Sequence, residues 1–224
     1  MILRAEKLSK RYFRRTGQAN HFYAVREVCL ELHPGEVTVL MGRSGSGKTT
    51  LLHMLSGLLR PDEGSVWLGD AELYRLDDGA LSRLRNARIG VVPQGRSAID
   101  SLTVWENILL PGLLYNGNER RLEAERWMDA LGIAALRDAR PAELSGGELR
   151  RMAIARALTQ NPEVLLADEP TGDLDDENTI RALSALRDAA HGEGKAVLLV
   201  SHEEEARRYA DRIYRMDGGK LTAL

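Results

Sequence analysis

The stretch GRSGSGKT, Gly42 to Thr49, sets a glycine, four residues and then Gly-Lys-Thr, between an apolar segment and a leucine-striped one. That spacing is the pattern of a phosphate-binding loop. Glycines let the backbone wrap tightly and aim its amides at a β-phosphate. Lys48 supplies charge for the β and γ oxygens, and the Thr49 hydroxyl suits Mg2+. The run Gly42, Arg43, Ser44, Gly45, Ser46, Gly47, Lys48, Thr49 and Thr50 is therefore expected to line a bound nucleotide. A chance glycine-rich turn is the alternative, and the strand–turn–helix context argues against it.

Downstream, VLLADEP places Asp168 and Glu169 at the end of an apolar strand, where side chains reach the crevice at the carboxyl edge of a parallel sheet. Asp168 is expected to hold Mg2+, directly or through its water, and Glu169 to orient and polarise the water that attacks a γ-phosphate. Two adjacent acids could equally cap a helix, and the company of Lys48 and Thr49 favours the catalytic reading. LSGGELRRMAIARAL (144–158) pairs Ser145, Gly146 and Gly147 with an alanine-rich helix. It reads as a second anion-binding helix start, this one without a lysine.

The elements that must position these groups alternate. Strands are predicted at 36–42, 88–92, 164–168, 196–201 and 212–216, with helices at 48–59, 176–191 and 203–210. The pattern implies a mainly parallel sheet wrapped by helices. The alternating VREVCLEL adds a strand, in which Cys29 is expected to pack inside. Between Gln94 and Leu144 the strand pattern stops; VWENILL and RRLEAERWMDALGI read as helices, with breaks at Pro111–Gly112 and Tyr115–Asn118.

The chain has 224 residues, 43% hydrophobic and 29% charged, with net charge −2. These values fit a soluble globular protein and argue against a nucleic-acid surface built on bulk positive charge. The longest apolar run, 108–115, is less than half a membrane span and is interrupted by Pro111 and Gly112. One cysteine excludes an internal disulfide. The Arg-Arg pairs at 120–121, 150–151 and 207–208 read as solvated faces, and Arg156 as a partner for a carboxylate.

GRSGSGKT, Gln94 in VVPQG, LSGGE, ADEP, TGDLD (171–175) and His202 in VSHE, in this order and at these separations, resemble the ATP-binding cassette of ABC transporters. The resemblance runs from Tyr12 to the terminal GGKL. It implies an α/β fold: a P-loop NTPase core with a mainly parallel sheet, an antiparallel β region and an inserted α-helical subdomain. Residues 1–224 then form a single ABC ATPase domain, with 1–94 and 145–224 as core and 95–144 as helical subdomain.

The resemblance also assigns roles. Tyr12 stacks on adenine, with Phe13 or Tyr23 as substitutes. Gln94 reaches Mg2+ and the attacking water, and His202 hydrogen-bonds the γ-phosphate. Asp175 sits at the cassette–cassette contact or caps a helix. Two cassettes, a homodimer or close paralogues, pack head to tail, so that Ser145, Gly146 and Gly147 serve the partner's ATP.

The implied function is ATP hydrolysis driving a separate integral-membrane permease, from the cytoplasmic face of the membrane and without nucleic acid as partner. TGDLD, LTVWEN and LSGGE look most like the lipoprotein-release, macrolide-export, FtsE-like and peptide-antibiotic-resistance group. GRSAIDS after Gln94 departs from that group by lacking aromatics. The alternative is a soluble ABC mechanoenzyme without a permease, which usually carries two cassettes or a long coiled coil. A P-loop GTPase is disfavoured by the absence of NKxD.

Overall fold

The structure is a computed structural model, and it describes residues 2–13, 21–116 and 120–224. Two sheets organise it. The first is antiparallel and four-stranded, in the order β2–β1–β4–β5, from β1 (Leu3–Phe13), β2 (His21–Leu32), β4 (Glu63–Leu68) and β5 (Ala71–Glu72). The second has six strands in the order β10–β9–β3–β8–β7–β6: β3 (Val37–Met41), β6 (Ile89–Val92), β7 (Val164–Asp168), β8 (Ala196–Val200), β9 (Arg212–Asp217) and β10 (Lys220–Ala223). All its pairings are parallel except β9 with β10.

Buried parallel strands need apolar side chains on both faces. Val37, Val39, Leu165, Ala167, Val197 and Leu199 face one core, shared with the helices α3 (Val104–Asn116), α4 (Arg121–Ala130), α5 (Gly146–Thr159) and α6 (Asp176–His191). Leu40, Leu166, Leu198 and Val200 face the other, which holds the antiparallel sheet, α1 (Lys48–Leu55) and Leu81 of α2 (Asp78–Arg88). The segment after Gln94 carries α3 and α4, both packed on α5.

Several local expectations are corrected. Helix α1 stops at Leu55 rather than residue 59, because Gly57 turns left-handed (φ 74°) and leaves Leu58 in solvent. Residues 204–209 form a 3-10 helix. Cys29 lies in β2 but faces outward, where its Sγ accepts from the Lys7 amide. Arg150 and Arg151 are buried, because α5 is covered by the sheet on one side and by α3 and α4 on the other. Arg151 settles there by donating to the Leu131 carbonyl at 2.9 Å. Arg156 donates to Ser97 and to no carboxylate among the described residues.

Pro111 does not break α3, which runs through it. A proline costs about 3 kcal/mol relative to alanine inside a helix. Fully burying side chains such as Val104, Ile108 and Leu109 offsets that at about 1.5–3 kcal/mol each. Pro111→Ala is therefore expected to restore one backbone hydrogen bond and stabilise the fold by about 1–3 kcal/mol in urea denaturation; an unchanged or lowered midpoint contradicts this.

Candidate nucleotide and catalytic site

Four neighbouring parallel strands end level with one another. Leu40 of β3 pairs with Val200 of β8, Val200 with Asp168 of β7, and Ala167 of β7 with Val92 of β6. The chain leaving each strand carries a different chemical group. The glycine loop and Lys48 follow β3, His202 follows β8, Glu169 follows β7 and Gln94 follows β6. Adjacent strands lie about 4.8 Å apart, so the β3 and β7 ends, separated by β8, stand roughly 10 Å from each other.

The glycine loop is fixed by close backbone approach. Gly47 has φ 106°, and a Cβ there would lie 1.9 Å from the Ala24 carbonyl oxygen; one at Gly42 would lie 2.5 Å from that of Met216. The loop thus nests between β2 and β9. Lys48 Nζ donates to the carbonyls of Gly42 (2.8 Å) and Arg43 (3.0 Å), which curls the buried ammonium under its own loop.

A cleft of about 300 Å³ opens above it, lined by Ser44, Gly45, Gly47, Lys48, Thr49 and Thr50, by Gln94 and Glu169, and by Tyr12, Phe22 and Ala24. Gly42, Arg43 and His202 line a neighbouring cleft, and Ser46 is buried within the loop. Tyr12 and Phe22 face each other across β1 and β2, ring centroids 5.9 Å apart. Phe13 lies against His21 and Tyr23 against the guanidinium groups of Arg11 and Arg26; neither lines the cleft. Nothing in the local sequence around Phe22 marks it for this place. Its only signal is the cross-strand register with Tyr12.

Glu169 is the centre of a polar cluster. Gln94 Nε2 donates to its Oε2 at 2.9 Å, and His202 Nδ1 lies 3.2 Å from its Oε1. Its backbone is left-handed (φ 49°), unusual for a residue with a side chain, and its amide donates to the Val200 carbonyl at 2.9 Å. Such strain concentrates at functional sites.

Asp168 is almost fully buried, and its Oδ2 has no hydrogen-bond partner. Burial pushes its carboxyl above the usual range; the Thr49 hydroxyl opposes this, the Glu169 charge adds to it, and His53 and Lys48 oppose it more weakly. An orphaned carboxylate oxygen beside a hydroxyl is a hard-oxygen donor set that fits Mg2+.

Ser145, Gly146 and Gly147 line no part of this cleft. They begin α5 with a reciprocal cap. The Ser145 amide and hydroxyl both donate to Glu148 Oε2 at 2.8 Å, while the Glu148 amide donates to Ser145 Oγ. Those hydrogen bonds from Ser145 hold the Glu148 carboxyl below the usual range. Asp175 caps α6, accepting from the Asn178 amide at 2.8 Å, and is also outside the cleft.

Comparisons with known proteins agree on one family. The sequence pattern described as ABC transporter matches residues 25–172. The lipoprotein-releasing system ATP-binding protein LolD of Pseudomonas syringae pv. tomato is 41% identical over 195 residues, 86% of each chain. LolD of Maricaulis maris is 39% identical over 223 residues, 99% of this chain and 96% of that protein. Among solved structures, the dimeric bacterial ABC transporter cassette MJ0796 superposes with a TM-score of 0.91 at 34% identity, covering 98% of this chain and 96% of that one. The same cassette as a dimer in a post-hydrolysis state bound to ADP and Pi also gives 0.91, at 33% identity, covering 100% and 99%.

The loop geometry yields a direct expectation. Gly47→Ala must push against the Ala24 carbonyl from a left-handed backbone, so binding of a fluorescent ATP analogue is expected to weaken by at least about tenfold, the equivalent of 1.4 kcal/mol. Affinity within twofold of the parent protein contradicts the assignment of this loop.

Proposed function

This chain belongs to the ABC transporter family as an ATP-binding subunit, an ATPase, and from that premise we propose how its residues divide the work. Glu169 is the general base that polarises the attacking water. The observation that carries this is its carboxylate, held between Gln94 and His202 at the mouth of the Lys48 cleft. Lys48 neutralises the β and γ oxygens once these replace the Gly42 and Arg43 carbonyls as its partners. Gln94, with Nε2 spent on Glu169, presents its carbonyl oxygen to the water or metal. His202 uses its second ring nitrogen for the γ-phosphate. Tyr12 stacks on adenine with Phe22 beside it.

Thr49, Asp168 and Gln94 would hold Mg2+, and the ion would supply Lewis-acid stabilisation of charge on the phosphoryl oxygens. The whole chain is one ABC ATPase domain, with 1–94 and 145–224 as core and 95–144 as a helical subdomain built on α3 and α4.

Ser145, Gly146 and Gly147 act on a partner's nucleotide. A helix start that lines no part of its own cleft, but belongs to a family with dimeric cassettes, supports head-to-tail pairing. Asp175, exposed at the start of α6, lies at that contact. Hydrolysis then removes the phosphate that both subunits hold, and the pair opens.

No helix among the described residues is long and apolar enough to cross a membrane. The chain works at the cytoplasmic face through a separate permease. The names of its relatives favour lipoprotein release as the process that it powers.

Two measurements test this reading. Glu169→Gln is expected to slow phosphate release by about 100-fold or more while prolonging an ATP-bound dimer in light scattering; unchanged turnover removes Glu169 from the mechanism. Glu148→Gln keeps an acceptor for Ser145, so turnover and dimerisation are expected to stay within about threefold, less than 1 kcal/mol. A rise above tenfold would mean that the Glu148 charge repels the partner's nucleotide.

A further inference from the structure

Two arginines of α5 reach the same loop from different turns. Arg150 Nη1 donates to the Pro93 carbonyl at 3.0 Å, immediately before Gln94. Arg156, about one and two-thirds turns further along, donates to the Ser97 carbonyl at 2.8 Å and to Ser97 Oγ at 2.5 Å, three residues after Gln94. Neither guanidinium pairs with a carboxylate among the described residues. Taking a cation out of water without a counter-ion is costly, and an apolar side chain would fill the same space at less expense. Burial accordingly pushes Arg156 below its ordinary range.

What the arginines supply, and an apolar side chain cannot, is donors. The backbone between β6 and α3 is irregular, so its carbonyls need partners from outside the loop. Arg150 also sits beside the turn that follows Glu169. Its Nη2 is 3.8 Å from where a Cβ on Gly172 would be, and the Gly172 amide donates to the Glu169 carbonyl at 3.2 Å.

We propose that Arg150 and Arg156 are positioning residues that clamp the loop on both sides of Gln94, so that α5 sets the contact between Gln94 and Glu169. The inference rests on the role given to Gln94 above. Its consequence is a link between the two sites of a dimer. The N-terminus of α5 at Ser145–Gly147 faces the partner's nucleotide, while the next turns of the same helix hold the glutamine of the chain's own site. A helix transmits displacement as a rigid rod, so γ-phosphate captured at one site fixes Gln94 at the other.

A double-mutant cycle on the whole chain tests this. ATP turnover, affinity for a fluorescent ATP analogue and melting temperature are measured for Gln94→Ala, Arg150→Met, Arg156→Lys and each arginine variant combined with Gln94→Ala. The arginine variants are expected to lower kcat by at least about fivefold with affinity within twofold, and to change kcat by less than twofold once Gln94 is alanine. Unchanged kcat in the single variants, or effects that multiply in the doubles, overturns the clamp. Unchanged kcat in Gln94→Ala overturns the role of Gln94 itself. Should Arg150→Met fail to fold, Arg150→Lys, which keeps the charge but loses the fork of donors, replaces it in the cycle with the same expectations.

Discussion

The level pairing of β3, β8, β7 and β6 is the constraint on which everything else depends. Parallel strands in register end on one line, and each then hands its chain to a loop at the same edge of the sheet. A one-residue slip of β7 against β8 would reverse which side of the sheet every β7 side chain faces, and would carry Asp168 from its buried place beside Thr49. That slip is prevented by the two cores. Leu165 and Ala167 are buried on one face, Val164 and Leu166 on the other, so packing against the helices on one side and the antiparallel sheet with α1 on the other holds the register.

On that edge the polar groups are arranged at some energetic cost. Glu169 accepts a left-handed backbone, and Asp168 is left with an unpartnered oxygen in a buried position. Neither feature stabilises the fold. In the mechanism proposed above, each sets a carboxylate to a task, one for water and the other for a cation. The stability that tolerates them comes from the apolar strands immediately behind.

Helix α5 works on both sides of this edge. Its first turn closes on itself through Ser145 and Glu148, its apolar residues complete the core under α3 and α4, and its arginines supply donors to loops that have no ladder of their own. Arg150 and Arg151, which resemble surface charge in a linear reading, are thus interior groups. Their environment is made by elements far away in sequence, Pro93 for Arg150 and Leu131 for Arg151.

The sequence by itself determined the phosphate loop, the acidic strand end and the alternation of strands and helices. These are local properties: glycine spacing, an apolar run, a hydroxyl beside a lysine. Even the second helix start could be seen as a phosphate cradle without a cation, and family resemblance supplied its partner. The departures were non-local. Pro111 inside α3, outward Cys29 and buried Arg150 each depend on which surface a distant element covers, and the pairing of Phe22 with Tyr12 depends on a register across β1 and β2. Above all, only the tertiary structure decided that Gln94 and His202 meet on one carboxylate. Residues 94, 169 and 202 are brought within hydrogen-bond reach by strand order, and strand order is fixed by packing of the whole sheet rather than by any local run of residues.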